Sequence, residues 1–324
     1  MNQNSPKPVT LITGFLGAGK TTFLNALIRF QQGKRLAIIE NEFGEEGLDG
    51  EFVIGAGEHV FELSNGCLCC SLSEDFHTLL EELWQRRSEY DELVIETTGI
   101  ADPASVASPF MTSRTVADYY RLQRVICLVD AGHVEGQLKV REEVRQQISF
   151  SDILIITKTD MVSAEYLAYL ENLLEEINPF AKVLTKSKDQ FPFEEILNIE
   201  RQEIVQKRPK FRLAPIALKA HRHEDLVSLS FIFEEPFSIT MLQHQLMAFL
   251  LFQAKDVYRV KGIIYAKGDD KKIIVQSVNV NLIVEYGEPW AKNESRLSRI
   301  VFIGKNLQPA GFERILKQSL AVRQ

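Results

Sequence analysis

The pattern of hydrophobic and polar positions divides the chain into two parts. As far as about residue 191, short continuous apolar runs alternate with segments in which apolar residues recur at helical spacing. Continuous apolar runs are typical of strands buried on both faces, so the alternation predicts an α/β domain with a mostly parallel sheet and helices on both sides. The predicted strands are residues 9–13, 36–40, 60–63, 93–96, 125–130, 153–157 and 183–185, and the predicted helices are residues 22–30, 74–87, 140–150 and 164–177.

The pattern changes after residue 200. Residues 201–222 are rich in lysine and arginine and contain Pro209 and Pro215, which indicates a linker. The segments that follow are strand-like at 230–233, 258–266 and 299–303, alternating at 273–284, and helix-like at 239–252 and 311–320, with a hairpin turn predicted at GDDK, 268–271. We therefore expect an α/β domain at residues 1–200, a linker at 201–222 and a smaller α+β domain at 223–324.

Composition narrows the class of protein. The chain has 324 residues, of which 45% are hydrophobic, and this length suits two domains with sizeable cores. Its net charge of -7 argues against a general nucleic-acid binder, which needs a basic face. No apolar run approaches the roughly 18–20 residues that span a bilayer, and the start MNQNSPKP lacks the apolar core of a signal peptide. We expect a cytoplasmic protein with no nucleic-acid or membrane partner.

A complete phosphate-binding motif, GFLGAGKT, occupies residues 14–21. It lies between a predicted strand and a predicted helix, the context in which this motif binds nucleoside triphosphates, whereas the alternative is a glycine-rich turn without a ligand. Lys20 is expected to reach the β- and γ-phosphates, and Thr21 is expected to bind Mg²⁺. The predicted nucleotide contacts of the loop are Gly14, Phe15, Leu16, Gly17, Ala18, Gly19, Lys20, Thr21 and Thr22.

Two later strand ends carry residues suited to the same nucleotide. Glu96 ends a predicted strand and is followed by Gly99, so we expect Glu96 in the magnesium-water shell and the Gly99 N–H at the γ-phosphate, with an ordinary turn as the alternative. The sequence TKTD at 157–160 is close to the pattern that selects guanine, because Asp160 can accept from guanine N1–H and N2–H₂ while Lys158 packs on the base. These residues favour GTP. Thr157 replaces the more usual asparagine, so we expect a weaker tie between this loop and the phosphate loop.

Three cysteines are concentrated in NGCLCC, at Cys67, Cys69 and Cys70. Clustered thiols in a reducing compartment are typical of ligands for zinc, copper(I) or another soft or borderline ion, while buried structural cysteines are the alternative. Three thiols leave the coordination incomplete, and Glu40, Glu45 or His59 are candidates to complete it.

The fourth cysteine, Cys127, lies outside the NGCLCC cluster. Cys127 lies in the apolar run 125–129 and is expected to be a small buried residue.

The segment 40–49 is acidic and contains glycine, which suggests a nucleotide-dependent switch or, alternatively, a solvated loop. Glu42 or Asp49 within it is a candidate to orient the attacking water.

The motifs GFLGAGKTT, ENEFGE, NGCLCC, ETTGIADP and TKTD occur in this order, and with them the chain resembles the CobW family of metallochaperone GTPases, of the SIMIBI class. KGIIYAKGD and VFIGKNL are similar to the C-terminal domain of the family's YjiA branch. The resemblance implies a zinc site at Glu40, Cys69 and Cys70, with Cys67 and Glu45 as further ligands. It also implies slow GTP hydrolysis coupled to metal delivery.

The residues and the resemblance together predict a GTPase that uses GTP and Mg²⁺ and delivers a transition metal, with Zn²⁺ as the expected ion, to a metal-requiring client protein. A second hypothesis is a metal-sensing interaction protein in which the nucleotide is a conformational signal. A third is a small-molecule P-loop kinase, which TKTD disfavours. The oligomeric state stays open, with a homo-oligomer among the alternatives.

Overall fold

The computed structural model describes residues 5–40, 60–62, 74–186, 190–199, 219–223, 225–253 and 255–321. These residues group into two compact units. Among the described residues, the first unit contains those up to 170 and those from 183 to 199. The second unit contains residues 171–182 and the described residues after 200.

A seven-stranded sheet forms the centre of the first unit in the described part of the chain. Its strands are β1 (Lys7–Gly14), β2 (Leu36–Glu40), β3 (Val60–Glu62), β4 (Glu92–Glu96), β5 (Tyr120–Asp130), β6 (Ile153–Thr157) and β7 (Lys182–Thr185). Their order is β3-β2-β4-β1-β5-β6-β7, and each adjacent pair from β3 to β6 is parallel. Residues such as Leu11, Leu93 and Ile126 are completely or almost completely buried. The predicted mostly parallel sheet is confirmed.

Helices surround this sheet at more positions than hydrophobic spacing indicates. They are α1 (Lys20–Phe30), α2 (Glu74–Gln85), α3 (Pro103–Thr112), α4 (Arg114–Tyr119), α5 (Val134–Val140), α6 (Glu142–Phe150), α7 (Ala164–Ile177) and α8 (Phe193–Asn198). The pattern missed α3, although its start signals are present: Asp102 caps it by accepting from the Ala104 N–H, and Pro103 is its first residue. The single helix predicted at 140–150 is wrong at its start, because Arg141 is extended (φ -116°, ψ 112°) and separates α5 from α6.

The second unit contains a six-stranded antiparallel sheet among the residues described. Its elements are β8 (Lys219–His223), β9 (Leu226–Phe233), α9 (Ile239–Gln253), β10 (Val257–Ile264), β11 (Lys271–Val278), β12 (Asn281–Pro289), β13 (Ser298–Lys305) and α10 (Pro309–Gln318). The strand order is β12-β11-β10-β13-β9-β8. Leucines of α9 and Phe312 of α10 pack with Phe302 and other sheet residues in one core. The predicted α+β class is confirmed.

Two details of the second unit differ from the sequence prediction. β8 pairs with β9, so residues 219–222 belong to the sheet although they fall within the range predicted as linker. The alternating segment at 273–284 forms parts of two strands, because the chain turns at Asn279, which has a left-handed φ of 50°. The hairpin predicted at 268–271 is confirmed between β10 and β11, with Gly268 at φ 82°.

Strand order in the first sheet determines where a ligand can bind. β1 lies between β4 and β5, so the chain leaves β1 toward one edge of the sheet and later crosses to the other. In open parallel sheets this reversal leaves a crevice beyond the carboxyl ends of the strands. Within the described ranges, no helix is both long and apolar enough to span a bilayer.

Candidate nucleotide and metal site

The phosphate loop connects β1 to α1 and has the backbone that phosphate binding requires. Gly17 and Gly19 have φ values of 75° and 94°, which side-chain-bearing residues rarely adopt. A Cβ built on either glycine would meet no atom within 4 Å, so both face open space. α1 begins directly after Gly19, and the positive end of its dipole therefore lies at this opening. The loop fits a phosphate group.

Thr21 and Glu96, which are far apart in the chain, meet beside this loop. The Thr21 hydroxyl donates to Glu96 Oε1 at 3.1 Å, and Glu96 is buried at the end of β4. A hydroxyl and a carboxylate are the hard oxygen ligands that Mg²⁺ prefers, so the pair fits the predicted magnesium site. Burial lowers the pKa of Lys20, while the Glu96 carboxylate acts in the opposite direction. Bound phosphates would favour the charged form of Lys20 in the same way as Glu96.

The turn after β4 lies directly against the phosphate loop. A Cβ on Gly99 would be 2.6 Å from the Leu16 backbone nitrogen, so only glycine allows this approach. On α6, Gln147 donates through Nε2 to the Gly99 carbonyl at 3.0 Å and to the Ala101 carbonyl at 3.2 Å. Sequence reasoning predicted Gly99 but missed Gln147, because its partners are more than forty residues away along the chain.

Thr157 ties the TKTD segment to the phosphate loop. Its hydroxyl donates to the Ala18 carbonyl at 2.9 Å and also lies 3.3 Å from the Val129 carbonyl. The tie between the two loops is present, because the threonine hydroxyl reaches a backbone acceptor in the phosphate loop without the longer asparagine side chain. The two nucleotide motifs are connected by a buried hydrogen bond.

A cavity of ≈ 450 Å³ opens between these two motifs, a volume typical of small-molecule sites. It is lined by Ala18, Gly19, Thr22, Thr157, Lys158, Asp160, Lys186 and Phe191. Lys186 follows β7, and its Nζ lies 4.9 Å from the Phe191 ring centroid. Lys186 and Phe191 were missed by sequence reasoning, although the position of Lys186 directly after a strand of the same sheet was a usable signal. The predicted base-contacting residues Lys158 and Asp160 thus lie at one cavity with the phosphate-loop residues Ala18 and Gly19.

Lys158 is held in place by a buried carboxylate at the end of β5. It has a left-handed φ of 54°, and its Nζ lies 2.8 Å from Asp130 Oδ2. Asp130 also accepts from Gly132 N–H at 2.9 Å and contacts His133 Nδ1 at 3.1 Å. Burial acts to raise the pKa of Asp130, but the hydrogen bonds from Lys158, His133 and the Gly132 N–H outweigh it and lower the pKa. Asp130 therefore stays ionised and anchors Lys158.

Replacing Asp130 with asparagine is expected to lower the affinities for GDP and GTP by the same factor, roughly tenfold, because the ion pair that holds the predicted base-contacting lysine, Lys158, is lost. Isothermal titration with each nucleotide measures both affinities. His133→Ala is the matched control, since the His133 side chain is 62% exposed and its removal leaves the Lys158 contact intact. Unchanged GDP affinity in Asp130→Asn would show that Lys158 needs no anchor.

Of the predicted metal ligands, the structure describes Glu40. Glu40 ends β2 and is the register partner of Glu96 on β4. The other predicted ligands, Glu45, Cys67, Cys69 and Cys70, lie outside the described residues, as do Glu42 and His59. In the described ranges no group of three or more His, Cys, Asp or Glu side chains is arranged to hold a metal. Cys127 is buried in β5, and burial raises the pKa of its thiol to about 12, so it behaves as an apolar residue as expected.

Two protein families match the chain, one for each unit. The CobW/HypB/UreG nucleotide-binding domain matches residues 8–185, and the cobalamin synthesis protein cobW C-terminal domain matches residues 226–320. The chain belongs to the CobW family. Its predicted P-loop GTPase fold and its similarity to the YjiA branch are confirmed.

Members of the CobW family align with nearly the whole chain. The zinc chaperone YjiA of Escherichia coli (strain K12) is 32% identical over 311 residues, which cover 94% of this chain and 95% of YjiA. The zinc chaperone CobW of Pseudomonas aeruginosa is 30% identical over 353 aligned positions, which cover 97% of this chain and 92% of that protein.

A solved structure of a CobW-family relative has the same fold. The crystal structure of Zn(II)-bound YjiA GTPase from E. coli matches with a TM-score of 0.72 and 29% identity, covering 98% of this chain and 100% of that chain. A Zn(II)-bound triple mutant of YjiA, in which one glutamate and two cysteines are replaced by alanine, matches with a TM-score of 0.74.

Proposed function

We propose that this CobW-family protein hydrolyses GTP and couples its nucleotide state to the binding and delivery of zinc to a client protein. The observation that carries the proposal is the register pairing of Glu40 with Glu96. Neighbouring strands of a sheet lie about 4.8 Å apart, so a predicted zinc ligand and a predicted magnesium-site residue occupy adjacent strand ends. The names of the relatives, two zinc chaperones and a zinc-regulated GTPase metalloprotein activator in Schizosaccharomyces pombe, support the zinc part of the proposal.

The GTP side of the proposal assigns a task to each group around the phosphate loop. Lys20 binds the β- and γ-phosphates, and the N-terminus of α1 adds a favourable dipole. Thr21 and Glu96 would hold magnesium, which supplies charge neutralisation on the β- and γ-phosphates when it is bound. Asp160 accepts from the guanine edge, and Glu42 remains our candidate for orienting the attacking water.

The zinc side uses Glu40 with the thiols Cys69 and Cys70, and with Cys67 and Glu45 as further ligands. Zinc is the cargo in this scheme. A γ-phosphate that changes the position of the segment after Glu40 changes the arrangement of the zinc ligands, and hydrolysis then favours transfer of the ion. Because coupling between two binding sites is reciprocal, bound zinc must change the relative affinities for GTP and GDP by the same factor.

The zinc affinity is expected to differ by roughly five- to 150-fold between the GDP-bound form and the form bound to a non-hydrolysable GTP analogue, the usual range for coupled sites. Competition with a zinc chelator at matched pH and magnesium measures both affinities. Cys69→Ala combined with Cys70→Ala is expected to abolish the high-affinity zinc site and to leave nucleotide binding intact, because thiolates are the strongest ligands in the predicted set.

Cys127→Ala is the control for this experiment, since it removes a thiol that lies in the sheet and not in the cysteine cluster. Affinity and stoichiometry must both be measured, because the YjiA triple mutant lacking a glutamate and two cysteines is still Zn(II)-bound. Equal zinc affinities in the two nucleotide states would remove the coupling. If the double cysteine variant binds zinc with unaltered affinity and stoichiometry, the zinc site is formed by other residues.

A further inference from the structure

We propose that Gln147 is a positioning residue that sets the turn after β4 for the γ-phosphate and so establishes the preference for GTP over GDP. The inference rests on the proposed function, because it assumes that GTP is the nucleotide used. It extends that function by assigning a role to a buried side chain. Gln147 belongs to none of the nucleotide motifs and binds the backbone of the turn after β4.

The side-chain amide nitrogen of Gln147 is directed at this turn. The side chain is 1% exposed, and its Nε2 reaches the Gly99 carbonyl at 3.0 Å and the Ala101 carbonyl at 3.2 Å. A primary amide has two N–H donors, so these two contacts use both of them. The Ala101 N–H donates to the Thr98 carbonyl at 3.2 Å, which closes the turn. Gln147 therefore holds both ends of the segment that contains the predicted γ-phosphate contact.

Gln147 lies on α6, and the end of this helix is connected to the central sheet by hydrogen bonds. Its own carbonyl accepts from the Ser151 hydroxyl at 2.7 Å, at the end of α6. The next residue, Asp152, accepts from the Val125 N–H at 3.1 Å and donates its own N–H to the Val125 carbonyl at 2.9 Å. The carboxamide is thus positioned relative to the central sheet and not relative to the turn that it binds.

On its other side the turn is limited by the phosphate loop. The Leu16 nitrogen lies 2.6 Å from the point where a Cβ of Gly99 would be. Gly99 is therefore confined between the Gln147 amide and the Leu16 backbone, with no room to shift toward the loop. A buried carbonyl that loses its donor is destabilised, so removing the amide favours a different arrangement of the turn.

The expected consequence distinguishes the two nucleotides. GDP has no γ-phosphate, and its remaining phosphates are predicted to contact the loop at residues 14–21, whereas the Gln147 amide binds Gly99 and Ala101. GTP adds the group that the Gly99 N–H is predicted to meet. Displacing Gly99 should therefore weaken the binding of GTP and leave the binding of GDP unchanged.

The test compares the affinities of folded variants for GDP and for a non-hydrolysable GTP analogue in the presence of magnesium. Gln147→Met keeps the length and removes both donors, and Gln147→Glu keeps the shape but directs carboxylate oxygens at two carbonyls. Each is expected to lower the affinity for the analogue about tenfold and to change the affinity for GDP by less than about twofold, since two neutral hydrogen bonds are lost. If the other two variants do not fold, Gln147→Asn is titrated in their place. It retains the amide, but its side chain is one methylene shorter.

Gln146→Met is the matched control, because Gln146 is the adjacent residue of α6 and is only half-buried. An equal loss of affinity for both nucleotides, or no loss for either, would overturn the positioning role of Gln147. Wild-type protein that binds neither nucleotide would instead remove the proposed GTPase function. The two failures are therefore distinguishable in one set of titrations.

Discussion

Lys20→Ala is expected to lower the affinity for GTP by at least about 100-fold, because the ammonium is predicted to contact two phosphates and a hydrogen bond to a charged group contributes about 1.5–3 kcal/mol. The physical setting increases the effect. Lys20 is partly desolvated, as the lowering of its pKa by burial indicates, so its attraction to phosphate is less screened than that of a surface lysine. Titration calorimetry gives the affinity, and phosphate release gives the turnover.

The fold should survive this substitution, because Lys20 lies at the opening of the phosphate loop and is only half-buried. Thermal unfolding of the nucleotide-free variant checks this point. Lys139→Ala is the matched control, since Lys139 is an exposed lysine of α5 that lies 4.0 Å from Glu135 Oε1 and outside the phosphate loop. GTPase activity close to that of the wild type in Lys20→Ala would exclude the phosphate-loop assignment.

Asp160→Asn is expected to reduce the preference for GTP over ATP by about 10- to 100-fold, since the carboxylate is the group that can accept from both guanine donors through charge-assisted hydrogen bonds. Asp160 lines the cavity beside the phosphate loop, on the short 3₁₀ helix Thr159–Met161. Competition between nucleotides for the wild-type protein and the variant measures the preference directly.

Xanthosine triphosphate supplies the decisive arm of the Asp160 experiment. Its base has a carbonyl where guanine has the 2-amino group, so the asparagine amide can donate to it, and the variant should bind it better than the wild type does. Asp118→Asn, an exposed position of α4, is the control for the change of charge. If the preference for GTP over ATP stays the same, Asp160 does not read the base.

Much of the site follows from short segments of sequence. The phosphate loop, the Glu96–Gly99 turn and TKTD each lie within a few residues, and each directly follows an apolar strand. Because parallel strands end at one edge of their sheet, the motifs were expected to meet there, and the Thr21–Glu96 and Thr157–Ala18 contacts are consistent with that expectation. The second contact depends on how far a hydroxyl is from one particular carbonyl, which the TKTD pattern does not determine.

The other contributors lie outside these motifs. Asp130 and Gln147 act on residues 28 and 48 positions away, and neither belongs to a motif with an assigned chemistry. Their importance comes from burial and hydrogen-bond geometry. Lys186 and Phe191 line the cavity, and β7, which Lys186 follows, lies beside β6, an arrangement that composition and hydrophobic spacing do not reveal.

Residues close together in the chain thus determine the elements, the nucleotide motifs and the family, because strand and helix periodicity, glycine-rich turns and capping are properties of neighbouring residues. Which strands lie side by side is decided by packing of the whole sheet. β2 pairs with β4 although β3 comes between them in the chain, and only that pairing brings Glu40 next to Glu96. A buried apolar run has the same pattern whichever strand it pairs with, so the proximity of the proposed zinc and nucleotide sites is a property of the tertiary structure alone.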